Sequence, residues 1–233
     1  EAAGGAFVYT RRALFAGRDG LLAELSAFVD DPAGRYLFLT APAGFGKTAL
    51  LANWVDPEGV RVAYHFFDPV FTPESLDESF FLSNVLEQMA GWFGHSDPLP
   101  NTVPERKALY QKWLEQPVDD NRALVLDGLD EVTAWSLAPY LGRLAGGMRV
   151  ILSARKTGVD WVKHFLLPGD QVRLRELDAL SREEIVAILR RAGGEAANLA
   201  DDLIFVEKLL RLAALDGDPQ RGGDPFIVSF IAQ

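Results

Sequence analysis

The sequence contains no cysteine and only 3 histidines among its 233 residues. Without cysteine the chain cannot form a disulfide, present a thiolate nucleophile or build a cysteine-based zinc site, and so few histidines argue against a histidine-bound metal. No stretch approaches the ~20 consecutive apolar residues of a membrane-spanning helix, and the N-terminal residues lack the pattern of a secretory signal. We therefore expect a cytoplasmic protein with no membrane partner.

Basic residues are also in short supply. The chain has 23 lysines and arginines against 33 aspartates and glutamates, which gives a net charge of −10. Because nucleic-acid binding depends on a positive surface that neutralises phosphates, we expect no direct nucleic-acid partner. Hydrophobic residues make up 48% of the chain, which is enough to bury the core of one large domain or more.

The first positive signal is the segment Ala41-Pro-Ala-Gly-Phe-Gly-Lys-Thr48, which matches the phosphate-binding pattern G-x-x-x-x-G-K-[ST] except that Ala41 replaces the first glycine. An apolar run at residues 35–40 precedes it and an amphipathic segment at residues 48–55 follows it, so strand, loop and helix come in the required order. The alternative is an ordinary strand-to-helix turn with a surface lysine.

A loop of this kind turns its backbone N–H groups toward phosphates at the start of a helix, whose partial positive charge favours anions. Lys47 would reach the β- and γ-phosphates, and the Thr48 hydroxyl would bind Mg²⁺. The nucleotide-binding residues predicted here are Ala43, Gly44, Phe45, Gly46, Lys47, Thr48 and Ala49.

A second signal is the apolar run at residues 123–126, which leads into Asp127-Gly-Leu-Asp130-Glu131. Such a run is typical of a strand covered on both faces in a parallel sheet, and ligands of these sheets bind at the carboxyl ends of the strands. Asp127 is therefore predicted to hold Mg²⁺ together with Thr48. Asp130 or Glu131 could orient or deprotonate the attacking water, and we favour Glu131 as the general base. A solvated acidic turn is the alternative.

The chain alternates strand-like and helix-like segments up to Leu177, and only helices are expected beyond it. This order predicts a three-layer α/β/α fold with a mainly parallel five-stranded sheet. Ser181 opens a helix with a capping box, residues 198–215 form another, and Pro225 begins a third, which indicates a small C-terminal helical lid domain. Strands are predicted at residues 35–40, 60–67, 123–127, 148–154 and 171–175, and helices in the sheet domain at residues 48–55, 73–89, 103–116 and 136–145.

These motifs resemble the STAND class of P-loop NTPases and, within it, the NACHT family of signalling ATPases. The most specific element is Leu126-Asp127-Gly128-Leu129-Asp130-Glu131, with a small residue after the magnesium aspartate and then a displaced acidic pair. The resemblance implies that Arg155 is a sensor arginine that contacts the γ-phosphate, which would make it a catalytic residue beside Lys47, Asp130 and Glu131. A surface arginine paired with acids is the alternative for Arg155.

The two ends of the chain carry shorter similarities to the same family. Arg18, in Phe15-Ala-Gly17-Arg18-Asp19, resembles a segment that packs on the adenine, and Pro225, in Gly223-Asp224-Pro225, resembles a lid proline that touches the base or ribose. The implied domains are an adenine-side segment at residues 1–34, a P-loop core at residues 35–177 and a lid at residues 178–233, cut before a winged-helix domain.

The resemblance implies a switch that binds ATP or ADP with Mg²⁺, hydrolyses slowly and self-associates when ATP is bound. Flanking effector and sensor domains would be its partners in a longer protein, with defence or programmed cell death as the usual setting. The P-loop with Leu50, Leu51 and Trp54 also resembles the maltose-regulator class of LuxR-type transcription activators. An AAA+ motor, a GTPase and a non-hydrolysing scaffold with a retained P-loop are further alternatives, although the sequence has no N-K-x-D or T-K-x-D motif for guanine.

Overall fold

The computed structural model describes residues 15–55, 61–213, 222–223 and 228. Strands and helices alternate through the first two thirds of this part, and helices follow. The strands are β1 (Tyr36–Ala41), β2 (Val62–Phe66), β3 (Arg122–Asp127), β4 (Met148–Arg155) and β5 (Val172–Glu176). The α-helices are α1 (Asp19–Asp30), α2 (Lys47–Trp54), α3 (Glu78–Met89), α4 (Val103–Glu115), α5 (Trp161–His164), α6 (Arg182–Ala192), α7 (Gly194–Leu199) and α8 (Leu203–Leu212).

The five strands form one sheet in the order β2-β3-β4-β1-β5, and every neighbouring pair is parallel. The predicted five-stranded parallel sheet is therefore confirmed, with strand ends within about two residues of the expected positions. Because all strands run the same way, the carboxyl ends of the three central strands lie side by side at one edge. Those ends are Ala41 of β1, Asp127 of β3 and Arg155 of β4.

Both faces of the sheet are covered, as the near-continuous apolar runs predict. Alternate residues of a strand point to opposite faces, so Phe38 joins the core under α3 and α4 while Leu39 joins the core under α1 and α2. The layers are thus α/β/α, as predicted. None of the helices in the described part of the chain is long and apolar enough to cross a membrane.

The helix predicted at residues 73–89 is wrong as a single element. A 3₁₀ turn at Pro73–Leu76 comes first, and α3 begins only at Glu78. Asp77 separates the two because its backbone is extended, at φ −82° and ψ 132°, and its carboxylate accepts the N–H groups of Ser79 and Phe80. A side-chain cap of this kind ends one helix and starts another at the same residue.

The helix predicted at residues 136–145 is also wrong, since the structure has only a 3₁₀ turn at Ala138–Tyr140. Leu141 leaves the helical region at φ −114° and ψ 43°, and the Tyr36 hydroxyl of β1 lies 3.3 Å from its carbonyl and donates to the carbonyl of Gly142. The N–H of Ala145 bonds to Leu114 O at 2.8 Å. Backbone groups that a helix would pair internally are therefore paired with β1 and α4 instead.

Beyond β5 the described residues form α6, α7 and α8 around a separate apolar cluster that includes Ile185, Leu189 and Leu209. Both halves of the capping box at Ser181 are present, which confirms the start of α6. The helix predicted at residues 198–215 is wrong in its bounds: α7 already ends at Leu199, and α8 begins at Leu203, where the Asp202 carboxylate caps it. The third predicted helix begins at Pro225, which lies outside the described residues.

Candidate functional site

The phosphate-binding loop connects the end of β1 at Ala41 to the start of α2 at Lys47. Gly44 and Gly46 have φ angles of 82° and 79°, a conformation that other residues adopt at a cost of roughly 1–2 kcal/mol. Phe45 between them is buried in the core under α1 and α2, so the packing of its side chain holds the loop against that core. The loop therefore wraps around the start of a helix, which is a favourable place for an anion.

The side chain of Lys47 folds back across this loop. Its Nζ donates to the carbonyl of Ala41 at 2.9 Å and to that of Pro42 at 3.1 Å, and the residue is only 9% exposed. Burial lowers the pKa of Lys47, while the carboxylates of Asp127 and Asp130 act in the opposite direction. The loop thus encloses a cation, as binding to phosphates requires.

Asp127 closes β3 and lies directly beside the start of α2. The Thr48 hydroxyl donates to its Oδ2 at 2.7 Å although 79 residues separate the two in the chain. The hydroxyl of Ser153, on β4, donates to its Oδ1. Burial raises the pKa of Asp127, and the hydrogen bonds from Ser153 and Thr48 oppose that shift. The two predicted metal ligands are therefore brought together, with a serine that the sequence analysis missed.

Ser153 could have been noticed because it is a hydroxyl in the apolar run Val150-Ile-Leu-Ser-Ala154 of a buried strand. Its side chain is fully buried, at 0% exposure. A buried hydroxyl requires a partner, but the identity of that partner depends on which strand lies next to β4. The run of residues alone does not contain that information.

The acidic pair lies on a 3₁₀ turn, Leu129–Glu131, that follows β3 immediately. Gly128 allows the turn: its φ is +79°, and a Cβ there would lie 2.7 Å from the carbonyl oxygen of Phe67. The turn points both acids toward Arg155, whose Nε lies 3.2 Å from Asp130 Oδ2 and whose Nη2 donates to Glu131. The arginine is thus paired with acids, as the alternative interpretation expected. It ends β4 in register with Ala41, and its contact with the γ-phosphate stays a prediction.

The backbone of Arg155 is fixed on both sides. Its N–H donates to Asp130 Oδ1 at 2.9 Å, and its carbonyl accepts from the indole nitrogen of Trp161 at 2.8 Å. Trp161 in turn stacks on Phe165, with ring centroids 5.6 Å apart. The next residue, Lys156, donates its N–H to Ala41 O at 2.8 Å. The end of β4 is therefore held against the loop and the acidic turn together.

Arg18 lies at a different place, the junction between the sheet and the C-terminal helices. It is the N-cap of α1 in a left-handed conformation, at φ 61°, and its Nη2 donates to Asp178 O at 2.9 Å. Burial lowers its pKa, and the charges of Glu184 and Asp178 oppose this. Its predicted contact with adenine stays a prediction, and the predicted contact of Pro225 lies outside the described residues.

The oxygen ligands at Thr48 and Asp127 suit Mg²⁺, which prefers hard oxygen donors and keeps several waters. Within the described ranges, no group of three or more His, Cys, Asp or Glu residues could hold a metal ion. In P-loop NTPases generally, phosphate oxygens supply part of the coordination of the cation.

Two solved structures are similar to this chain. The chain is similar to a chain of Drosophila ORC bound to DNA, with a TM-score of 0.53 and 17% identity, over 96% of this chain and 58% of that one. It thus spans 58% of the length of the Drosophila chain. A Walker-type ATPase of Pyrococcus abyssi gives a TM-score of 0.48 and 14% identity, over 88% of this chain and 69% of that one.

No protein-family model matches the sequence, and no curated protein matches it either. At such identities the similarity to the Drosophila chain concerns the fold, a parallel sheet with helices on both faces. The strand β1, the phosphate-binding loop and the helix α2 occupy residues 36–54. Asp127 ends β3, which is separated from β1 by β4 in the same sheet. The chain therefore has the α/β fold of P-loop ATPases.

Proposed function

We propose that this chain binds ATP and ADP with Mg²⁺ and hydrolyses ATP slowly. The observation that carries the proposal is the 2.7 Å hydrogen bond between Thr48 Oγ1 and Asp127 Oδ2, next to the enclosed ammonium of Lys47. A hydroxyl, a carboxylate and a lysine from two distant segments meet at the start of one helix. This combination of groups is the one that holds a nucleoside triphosphate and its metal in P-loop proteins.

In this proposal the loop N–H groups and Lys47 bind the β- and γ-phosphates, and Thr48 and Asp127 hold the metal. Mg²⁺ bound there would neutralise charge on the phosphates. Lys47 would exchange its carbonyl partners, Ala41 O and Pro42 O, for phosphate oxygens. Since those carbonyls are neutral acceptors and phosphates are charged, the exchange strengthens the hydrogen bonds of the ammonium.

Hydrolysis requires a group that accepts a proton from the attacking water. Glu131 would take that proton while the water oxygen bonds to the γ-phosphorus and ADP leaves. Here, however, Glu131 is paired with Arg155, so its carboxylate is already occupied by a cation. Arg155 would first have to release Glu131 and turn to the γ-phosphate, where it would stabilise the transferring charge. This requirement supports slow hydrolysis.

We further propose that the chain is a nucleotide-dependent switch of the NACHT kind, with residues 178–233 as its lid, in a larger signalling protein that self-associates with ATP. The segment before α1 supports a link between the site and the helices. Phe15 packs against the core under α1 and α2, and Ala16 packs against the cluster of the C-terminal helices. The hydrogen bond from Arg18 to Asp178 O spans the same junction.

The test of nucleotide binding compares the wild-type chain with Lys47→Ala. Nucleotide released from the purified protein by denaturation is identified by chromatography, and the affinities for ATP, ADP and GTP are measured. We expect bound ADP or ATP in the wild type and a loss of affinity of at least ~100-fold in Lys47→Ala, since a charge-assisted contact is removed. Lys163→Ala, which removes a lysine with an 85% exposed side chain, is the matched control. Equal affinities in all three proteins would refute nucleotide binding at this site.

The switch has its own test. The mass of the protein in solution is measured by light scattering after saturation with ADP and with a non-hydrolysable ATP analogue. A larger mass with the ATP analogue supports self-association, and the same mass in both states argues against it. A switch needs a difference in nucleotide affinity between two conformations, so identical behaviour with both ligands would contradict it.

A further inference from the structure

A second hydroxyl besides that of Thr48 touches the metal-binding carboxylate. Ser153 lies on β4. On one side it is in register with Leu39 of β1. On the other side the last register pair of β3 with β4 is Leu126 with Leu152, and Ser153 follows that pair directly. Its side chain is fully buried, and its Oγ donates to Asp127 Oδ1. Ser153 therefore contacts Asp127 from within the sheet, whereas Thr48 contacts it from α2.

The direction of these hydrogen bonds is determined by chemistry. The N–H of Gly128 points at Ser153 Oγ at 3.3 Å, and an amide N–H can only donate. A serine hydroxyl has one hydrogen, so with its oxygen accepting from Gly128 that hydrogen is directed to Asp127. Ser153 thus connects the carboxylate to the first peptide of the acidic turn, and the hydroxyl has no freedom to rotate away without losing a buried partner.

The two oxygens of Asp127 are held in different ways. Oδ2 accepts from Thr48 at 2.7 Å, a residue that would itself bind the metal, so this contact must adjust when the cation arrives. Oδ1 accepts from Ser153, which belongs to the rigid central strand. Only the second contact can keep the plane of the carboxylate fixed while the first one changes. Partners of this kind commonly determine the affinity of a metal site as strongly as some ligands do.

We propose that Ser153 is a positioning residue for the magnesium site: it orients the carboxylate of Asp127 and thereby determines how much Mg²⁺ adds to nucleotide affinity. This inference rests on the proposed function, because it concerns the same site. Without the hydroxyl, Asp127 loses one of two hydroxyl donors and the Gly128 N–H loses its buried acceptor. The carboxylate can then turn, and the cation loses an oriented ligand.

The experiment measures the affinity for ATP with Mg²⁺ and with EDTA, in the wild type and in Ser153→Ala. We expect the two proteins to bind ATP equally in EDTA, within about twofold, because the Ser153 hydroxyl bonds to Asp127 and Gly128, which are not among the predicted phosphate-binding residues. The gain in affinity on adding Mg²⁺ should fall by about 10-fold or more in Ser153→Ala, in line with the usual effect of losing a partner of a metal ligand. Ser153→Thr, which keeps the hydroxyl, should retain the gain.

Ser75→Ala is the matched control. Ser75 is also buried, at 2% exposure, and its Oγ likewise accepts a backbone N–H, that of Asp68 at 2.8 Å. Removing it creates the same kind of defect in the segment after β2, while both hydroxyl partners of the Asp127 carboxylate stay in place. We expect Ser75→Ala to keep the full gain from Mg²⁺, so that a general loss of stability is separated from a change at the metal site.

The outcomes separate the two proposals. If the wild type gains affinity with Mg²⁺ and Ser153→Ala gains as much, the positioning role is refuted while nucleotide binding stands. If the wild type shows no gain at all, both the magnesium site and the role of Ser153 are refuted. If Ser153→Ala does not fold, Ser153→Cys takes its place, because it keeps the volume with a much weaker donor and should show the same reduced gain.

Discussion

Asp130 is bound to Arg155 at two points, through Oδ1 to the backbone N–H at 2.9 Å and through Oδ2 to Nε at 3.2 Å. The guanidinium of Arg155 is therefore oriented by the backbone of the strand that carries it. A second nitrogen of the same guanidinium, Nη2, reaches Glu131. Because one arginine holds both acids, a change at Arg155 alters the positions of the acids as well as the charge near the phosphates.

The first prediction concerns Arg155→Ala. We expect kcat for ATP hydrolysis to fall by about 10²-fold, since one preorganised donor to the transition-state charge is lost, with a much smaller change in ATP affinity. Steady-state hydrolysis and equilibrium binding are measured together. Lys156→Ala is the matched control, because Lys156 follows directly on the chain and its ammonium pairs with Glu176 in an exposed bridge. A similar fall in kcat in both variants would show that hydrolysis depends on the end of the strand and not on the guanidinium of Arg155.

The second prediction separates the two acids. Glu131→Gln keeps the size of the side chain but cannot take a proton, so hydrolysis should fall by about 10²–10⁴-fold while ATP binding persists. Asp130→Asn should be milder, because its carboxylate bonds to the Arg155 backbone and an amide oxygen can accept the same N–H. Single-turnover hydrolysis measures both. The assignment is wrong if Asp130→Asn is the more damaged variant.

The third prediction concerns the turn that carries these acids. Gly128→Ala should destabilise the protein by at least ~1–2 kcal/mol, the cost of the left-handed backbone alone, because its φ is +79° and a Cβ would lie 2.7 Å from Phe67 O. Chemical unfolding measures the loss. Gly142→Ala is the control, since a Cβ there would meet nothing within 4 Å. Equal stability of the two variants would refute the account of this turn.

The fourth prediction concerns His65, which is buried at the end of β2. Its Nε2 donates to Ser75 O at 2.9 Å and its Nδ1 accepts from Asn84 at 3.0 Å, so it is a structural histidine without a link to the phosphate-binding loop. Burial lowers the pKa of His65 from 6.5 to about 4. The unfolded chain binds a proton near the higher value, and the native protein does so only near the lower one.

The direction in which stability changes with pH follows from this difference between the two pKa values. The contribution of neutral His65 to stability is complete above pH 6.5 and is lost as the pH falls toward about 4, a total of about 3 kcal/mol. We expect most of this loss in the wild-type free energy of unfolding between pH 7 and 4.5, and a weaker pH dependence in His65→Gln. His164→Gln, at an exposed position on α5, is the control. Equal pH dependence in the wild type and His65→Gln would contradict the prediction.

The sequence was sufficient for features that depend on neighbouring residues. The apolar run before Ala41 specifies a strand, the two loop glycines specify a turn with positive φ, and Lys47-Thr48 marks the start of a helix. Each of these features depends on local backbone preferences. The capping box at Ser181 is local in the same sense and is present. The errors arose at residues 73–89, 136–145 and 198–215, where the caps at Asp77 and Asp202, or bonds to β1 and α4, replaced helical ones.

The sequence by itself thus determined the fold class and the chemical groups available at the site. Tertiary structure decided their partners, because strand order joins segments that are far apart in the chain. With β4 placed between β1 and β3, the hydroxyl of Ser153 reaches Asp127 and the guanidinium of Arg155 reaches Asp130 and Glu131. Hydrogen bonds act only over a few ångströms, and such proximity between distant segments comes from packing rather than from any local pattern.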